Sequence, residues 1–228
     1  MNSIHDNVVN NAANAAIAVG SNSTVAKNIQ NNTITSPKIY GIFINNGSKV
    51  KGAIQNNKIT SAGTDGIYVG NKATVASVKS NTIKKAGLYG IIAASKAKIT
   101  TVASNTVNVN NAGSGIAIIA NLNSPIKTIK SNTVTGKYAC GIRVNTPGLK
   151  VNVTSNKLTT SNPKSKRSVG ISVNGCKKYT ITIATNKITG NNTAPGIQIK
   201  TSTAILKKNT VKKSTKEFSC DYAYKLTK

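Results

Sequence analysis

Acid is nearly missing from this chain. Four carboxylates, Asp6, Asp65, Glu217 and Asp221, face 31 lysines and arginines in 228 residues, and the formal net charge is +27. Only Asp65 lies in the body of the chain, so a pair of carboxylates working across one scissile bond is excluded. Tryptophan is absent and aromatics make up 4% of the residues, which argues against a core built on large rings. The three cysteines, Cys140, Cys176 and Cys220, are odd in number and lack CxxC spacing, and His5 is the single imidazole. No structural metal site is expected from such a set, and no cofactor is expected either. No apolar run is long enough to cross a bilayer. The first thirty residues contain neither a basic start nor the apolar stretch of a secretory leader. Because Asn7-Val8-Val9 already reads as the start of a repeat unit, the expectation is a piece of a longer secreted protein.

Arginine is scarce too. Only Arg143 and Arg167 carry a guanidinium, so the positive charge is almost wholly lysine, a hydrated point cation without a bidentate grip. Charge of this kind suits low-specificity attraction to a partner of dense negative charge. It also solvates the outside of a stacked sheet and discourages aggregation.

What the chain has in abundance is Val, Ile, Thr and Asn, a mixture for strands and polar turns. They recur with a period. Asn-x-[Ile/Val/Leu] begins at Asn32, Asn57, Asn81, Asn105, Asn132, Asn156, Asn186 and Asn209, at intervals of 25, 24, 24, 27, 24, 30 and 23. A second signature follows most of these asparagines: Gly41-Ile42, Gly66-Ile67, Gly90-Ile91, Gly115-Ile116, Gly141-Ile142, Gly170-Ile171 and Gly196-Ile197. A third apolar pair completes each unit, as in Val75 with Val78, Ile99 with Val102 and Ile181 with Ile183.

A fixed period of this length signals stacked repeats, and apolar pieces alternating every second residue exclude helical solenoids. The fold class is therefore all-β, a single-chain parallel β-helix with three short strands per coil of about 24 residues. Within Asn-x-Ile the asparagine and the aliphatic share a parity, so both point inward while the Thr or Lys between them points out. Stacking then builds an internal asparagine ladder whose amides satisfy one another. The glycine before each second strand is expected to hold a turn conformation that a Cβ resists. Coils are expected over 1–213 and a C-terminal cap over 214–228, where Phe218, Tyr222 and Tyr224 follow the last repeat.

The stretch NTIKKAGLYGIIAASKAKITTVASNTV (81–107), with its neighbours over about 7 to 213, resembles the pectin-lyase-like right-handed parallel β-helix superfamily. That resemblance implies a right-handed coil, often extracellular or on the cell surface, in polysaccharide lyases, polygalacturonases, epimerases, tailspikes and surface proteins. Fold does not choose among them. Calcium-assisted lyases need several acidic oxygens, and they are missing. The clustered Asp-Pro-His-Glu motif of the epimerases is missing as well. A metal-independent lyase with a Lys or Arg base and a Tyr acid survives on residue types.

Stacking points to one candidate column and one strip. The residue before each second-strand glycine runs Tyr40, Asp65, Tyr89, Ser114, Cys140, Val169 and Pro195, so Asp65, Tyr40 and Tyr89 are the candidates for catalysis. Three residues on, Phe43, Tyr68, Ile92, Ala117, Arg143, Ser172 and Gln198 form a strip whose rings suit sugar faces. Asp65-Gly66 also reads as an ordinary turn pair, and the rings as an aromatic ladder. Lys58 and Lys84 stand on the first-strand exterior, a Thr-x-Thr array too often interrupted by lysine for an ice-binding face. The 30-residue interval contains Asn162-Pro163-Lys164-Ser165-Lys166-Arg167, an insertion expected to project as a basic loop. Candidate ligand-binding residues are therefore Phe43, Tyr68, Arg143, Lys58, Lys84, Lys164, Lys166 and Arg167. The expected partner is an acidic polysaccharide or cell-wall polyanion, held without catalysis outside the cell. Specific nucleic-acid binding and membrane insertion are not expected. The alternatives are the metal-independent uronan lyase and a purely structural spacer or adhesin repeat.

Overall fold

The computed structural model describes residues 1–121, 123–145, 149–175, 179–200 and 202–220, and the backbone of 225–226. Among them there is no helix: short parallel strands wind into a solenoid. Three ladders of strands run along it. The first carries the Asn-x-Ile units, among them Thr33–Thr35, Lys58–Thr60, Thr82–Ala86, Lys157–Thr160 and Lys187–Thr189. The second carries the Gly-Ile units, including Tyr40–Ile44, Asp65–Val69, Tyr89–Ala93 and Val169–Asn174. The third comprises strands such as Lys49–Gln55, Thr74–Lys79, Lys98–Ala103 and Thr180–Ala184. Two long strands, Thr106–Ala120 and Thr133–Asn145, pass unbroken from the first ladder into the second and join the two into one 16-stranded sheet.

The asparagine ladder exists as the parity of Asn-x-Ile requires. Asn32 donates from Nδ2 to Asn57 Oδ1 at 2.8 Å, Asn57 to Asn81 at 2.9 Å and Asn81 to Asn105 at 3.0 Å. The chain of bonds continues through Asn132, Asn156 and Asn186 to Asn209. Asn7 extends it by one coil at the start. Each Oδ1 also accepts the backbone N–H of the preceding ladder asparagine, as Asn105 does from Asn81 at 2.9 Å. The second hydrogen of each amide reaches backbone carbonyls at the same corner, such as Val78 O and Ala103 O for Asn105. Every polar atom of these buried amides is thus satisfied, the condition for placing them beside an aliphatic core.

The bend that aims the asparagine inward is made by the residue before it. Asn31, Asn56, Ser80, Ser104, Ser131, Ser155, Thr185 and Lys208 all have φ between 48° and 56°. This left-handed conformation favours Asn and short polar residues over others with a Cβ. Inside the coils, columns of Ile and Val from all three ladders close one continuous core, with Ile34, Ile59, Ile67, Ile83 and Ile91 fully buried.

The second-strand glycines have a reason other than the one expected. Gly41 and Gly66 lie within their strands and outside the positive-φ set. A Cβ on Gly66 would stand 2.6 Å from the carbonyl oxygen of Gly90 and 2.8 Å from the side chain of Ile83. Close approach between coils and onto the core, rather than a turn conformation, selects glycine there.

Residues 214–220 and 225–226 continue the stacking: Phe218–Cys220 pairs with Ile197–Ile199, and Lys225–Leu226 pairs with Ile205–Leu206. Phe218 packs partly buried against the core. Cys176, Asp221, Tyr222 and Tyr224 lie outside the described residues.

Candidate functional site

The outer face of the second ladder carries the candidate column and the strip beside it. Register places Ala15, Tyr40, Asp65, Tyr89, Ile116, Cys140 and Val169 in one column. Beside it run Ala18, Phe43, Tyr68, Ile92, Ile119, Arg143, Ser172 and Gln198. Two members differ from the sequence expectation, Ile116 replacing Ser114 and Ile119 replacing Ala117. The cause is a three-residue insertion: Asn111 pairs with Tyr138 and Ile116 with Cys140, so four residues on one strand face one on the other. Gly115 belongs to this bulge, and Ile116 is the residue that resumes the register. Ala117 takes the place of the glycine, between Gly90 and Gly141, and points into the core.

At one end of the face three rings cluster. Tyr40 stacks on Phe43 at 4.6 Å between centroids, Phe43 stacks on Tyr68 at 5.2 Å, and Tyr40 meets Tyr68 tilted at 5.3 Å. Offset rings at such distances suit mutual stacking. Asp65 lies in register between Tyr40 and Tyr89 and is 3% exposed. Its Oδ1 accepts the Tyr89 N–H at 3.2 Å. Desolvation pushes its carboxyl up to about 7, against the lowering effect of that bond. Partial burial, then the neighbouring Asp65 and Tyr68, raise the Tyr40 hydroxyl above its ordinary range. Asp65, Tyr40 and Tyr89 are therefore brought together as the stacking argument requires.

In the middle the face is apolar. Ile92, Ile116, Ile119, Cys140 and Val169 form a second cluster outside the solenoid core, with Tyr68 and Tyr89 packed against it. Burial drives the Cys140 thiol up to about 11, opposed by the charge of the nearby Arg143 guanidinium, and its Sγ donates to Ile142 O at 3.3 Å. Arg143 lies two coils beyond Tyr89 and three residues further along its strand, in register with Ile92 and Ile119.

Beyond the apolar floor the face turns basic. A pocket of about 410 Å³ is lined by Arg143, Lys166, Arg167 and Lys200 around Ser172 and Gln198. Both insertions of the chain border it, the bulge through Ala112 and Gly113 and the 162–167 loop through its cations. The loop is held in place through its carbonyl groups. Asn191 Nδ2 donates to Lys166 O at 2.8 Å and Pro163 O at 3.2 Å, and Thr193 Oγ1 to Lys166 O at 3.1 Å. At its root the buried Asn162 donates to Tyr138 O at 2.7 Å, and Ser168 to the same oxygen at 2.8 Å. Arg143, Lys166 and Arg167 thus converge, while Lys164 stays on the exposed outer part of the loop and does not line the pocket. Ser172, Gln198 and Lys200 complete the site, as do the clamps Asn162, Asn191 and Thr193. The strip of outward positions already set Ser172 and Gln198 beside Arg143 and the 30-residue interval marked the basic insertion, whereas Lys200 and the clamping roles of Asn162, Asn191 and Thr193 had no signal in the repeat.

Lys58 and Lys84 occupy a different surface, the first-ladder exterior, and are exposed there. Register stacks Thr33, Lys58, Thr82, Thr106, Thr133, Lys157, Lys187 and Thr210 in a single column on that face. A shallow depression of about 390 Å³ opens there among Lys157, Lys187 and Lys212. Among the described residues no three His, Cys, Asp or Glu side chains gather as metal ligands, and no helix is long and apolar enough to cross a membrane.

Three parallel ladders, an inner asparagine column and about 25 residues per turn define the class of parallel β-helix solenoids. Residues 41–215 match the family described as right handed beta helix region, and the chain belongs to it. Comparison with curated proteins and with solved structures returns no match.

Proposed function

We propose that this chain is a non-catalytic extracellular or cell-surface β-helix module that associates with acidic polysaccharide through its lysine-rich surface. The observation that carries this reading is uncompensated charge. Against a net charge of +27, no lysine or arginine among the described residues is paired with a carboxylate, and the one acid–base contact is His5 Nδ1 with Asp6 Oδ2 at 2.7 Å. Such a surface draws polyanions by long-range attraction that salt screens. The second-ladder face supports a saccharide among polyanions, because stacked rings, an apolar floor and a cationic pocket follow one another along it. Retention on polygalacturonate or alginate columns at increasing salt tests the proposal. Elution is expected to move sharply with ionic strength, and equal retention at low and high salt would defeat it.

A metal-independent uronan lyase is the second reading, favoured by the buried Asp65 beside Tyr40 and Tyr89. Incubation with a panel of acidic glycans, followed by absorbance of the unsaturated uronate product, decides it. Silence across the panel removes it.

A further inference from the structure

The chain has two arginines among 31 basic residues, 24 positions apart in sequence, and both line the same pocket. Nothing in the repeat demands this. Arg143 comes from a strand of the second ladder, and Arg167 comes from the insertion loop. Elsewhere the exterior uses lysine, which supplies charge without geometry, whereas a guanidinium presents a planar fork of donors that matches an oxyanion in bidentate fashion.

The surroundings sharpen the assignment. Lys166 and Lys200 add two further cations, and among the described residues no carboxylate lines the pocket. Ser172 and Gln198, neighbours of Arg143 in the next two coils, offer neutral donors and acceptors of the kind that hydroxyl groups need. The loop that delivers Arg167 is fastened through its backbone by Asn191 and Thr193 of the following coil, so the main chain that carries its cations is set before any ligand arrives, which lowers the ordering cost of binding. We infer that the Arg143–Arg167 pocket is a discrete oxyanion-binding site that seats one acidic unit of a polyhydroxylated chain, with Ser172 and Gln198 on its hydroxyl groups. This rests on the polysaccharide reading above and adds to it a specific anchor within an otherwise diffuse basic surface.

The test separates geometry from charge. The double variant Arg143→Lys, Arg167→Lys keeps the net charge at +27, and Lys49→Gln, Lys51→Gln removes two charges from the exposed exterior of the third ladder. Binding is measured by calorimetry with oligogalacturonate, whose oxyanion is a carboxylate, and with glycerol teichoic acid, whose oxyanion is a phosphodiester. The arginine double is expected to bind at least one of them about tenfold more weakly with an unaltered salt dependence, because bidentate bonds are lost while charge is not. The lysine double is expected to lose roughly twofold and to show a shallower salt dependence. Arg167→Lys alone, on an exposed loop, is expected to keep most of the loss should the double variant melt early. If the arginine double binds both polymers within twofold of the wild type, the discrete site is refuted while the polyanion reading stands. If the unaltered protein binds neither at low salt, both fall. Arginine-dependent binding of an RNA oligonucleotide at equal strength would overturn the saccharide assignment.

Discussion

A single asparagine of the inner column has five hydrogen bonds at stake. Asn105 accepts from the backbone and the amide of Asn81 and donates to Asn132, Val78 O and Ala103 O. Its removal leaves donors on Asn81 buried without partners, a penalty exceeding the net value of the bonds themselves. Asn105→Ala is expected to cost about 3 kcal/mol in urea unfolding. Asn209→Ala, at the partly exposed end of the column, is expected to cost about 1 kcal/mol because water can take over its partners. Equal losses at the two positions would mean that the ladder is not a buried network. Asp65 acts in the opposite sense. Its folded-state value, pushed up to about 7, lies above the ordinary 3.8, so between these values the native state holds a proton that the unfolded chain has released. Stability from this residue is thus complete below about pH 4 and lost as pH rises through about 7. Asp65→Asn, which can still accept the Tyr89 N–H, is expected to melt above the wild type at pH 8 and level with it at pH 4.

At the level of elements, insertions decide which parts of a regular solenoid become a site. The three-residue bulge shifts Ile116 and Ile119 onto the outer face and so builds an apolar patch where the repeat alone would place Ser114. The longer insertion closes over the same face, held by side chains of the next coil. Asn191 bonds to carbonyls of Lys166, Pro163 and Asn162. Asn191→Ala is expected to speed amide exchange within 162–167, to leave the melting temperature nearly unchanged, and to weaken polyanion binding. Unchanged exchange would show that the loop keeps its shape without this clamp. The 30-residue interval located one insertion at 162–167, whereas the bulge before Ile116 was not placed by the repeat pattern. Interval lengths of 27 and 30 mark that extra residues exist, but the residue that resumes the register depends on which pairing the backbone satisfies.

For the whole molecule, charge and stacking oppose each other. Each coil pairs with its neighbours through backbone bonds and the shared Ile and Val core, while a formal charge of +27 works against compactness. With so few acids to screen, added sodium chloride is expected to raise the melting temperature over the first ~0.3 M, as the Debye length shrinks below the separation of surface lysines. A fall over that range would indicate that ion pairs, rather than repulsion, dominate the surface.

The recurrence of Asn-x-Ile and Gly-Ile was enough to determine the parallel coil, the inward asparagines and the neighbours Tyr40, Asp65 and Tyr89. Those features follow from local parity and a constant period, both of which are written in linear order. The reason for the glycines, the true occupants of the fifth rung of the outer face, and the meeting of Arg143 with Arg167 were decided only in three dimensions. Each of them depends on distances between coils, such as 2.6 Å from a would-be Cβ on Gly66 to the next carbonyl, or on how an irregular segment folds back over a regular one. A period describes what repeats, and the candidate site is built where the repeat is broken.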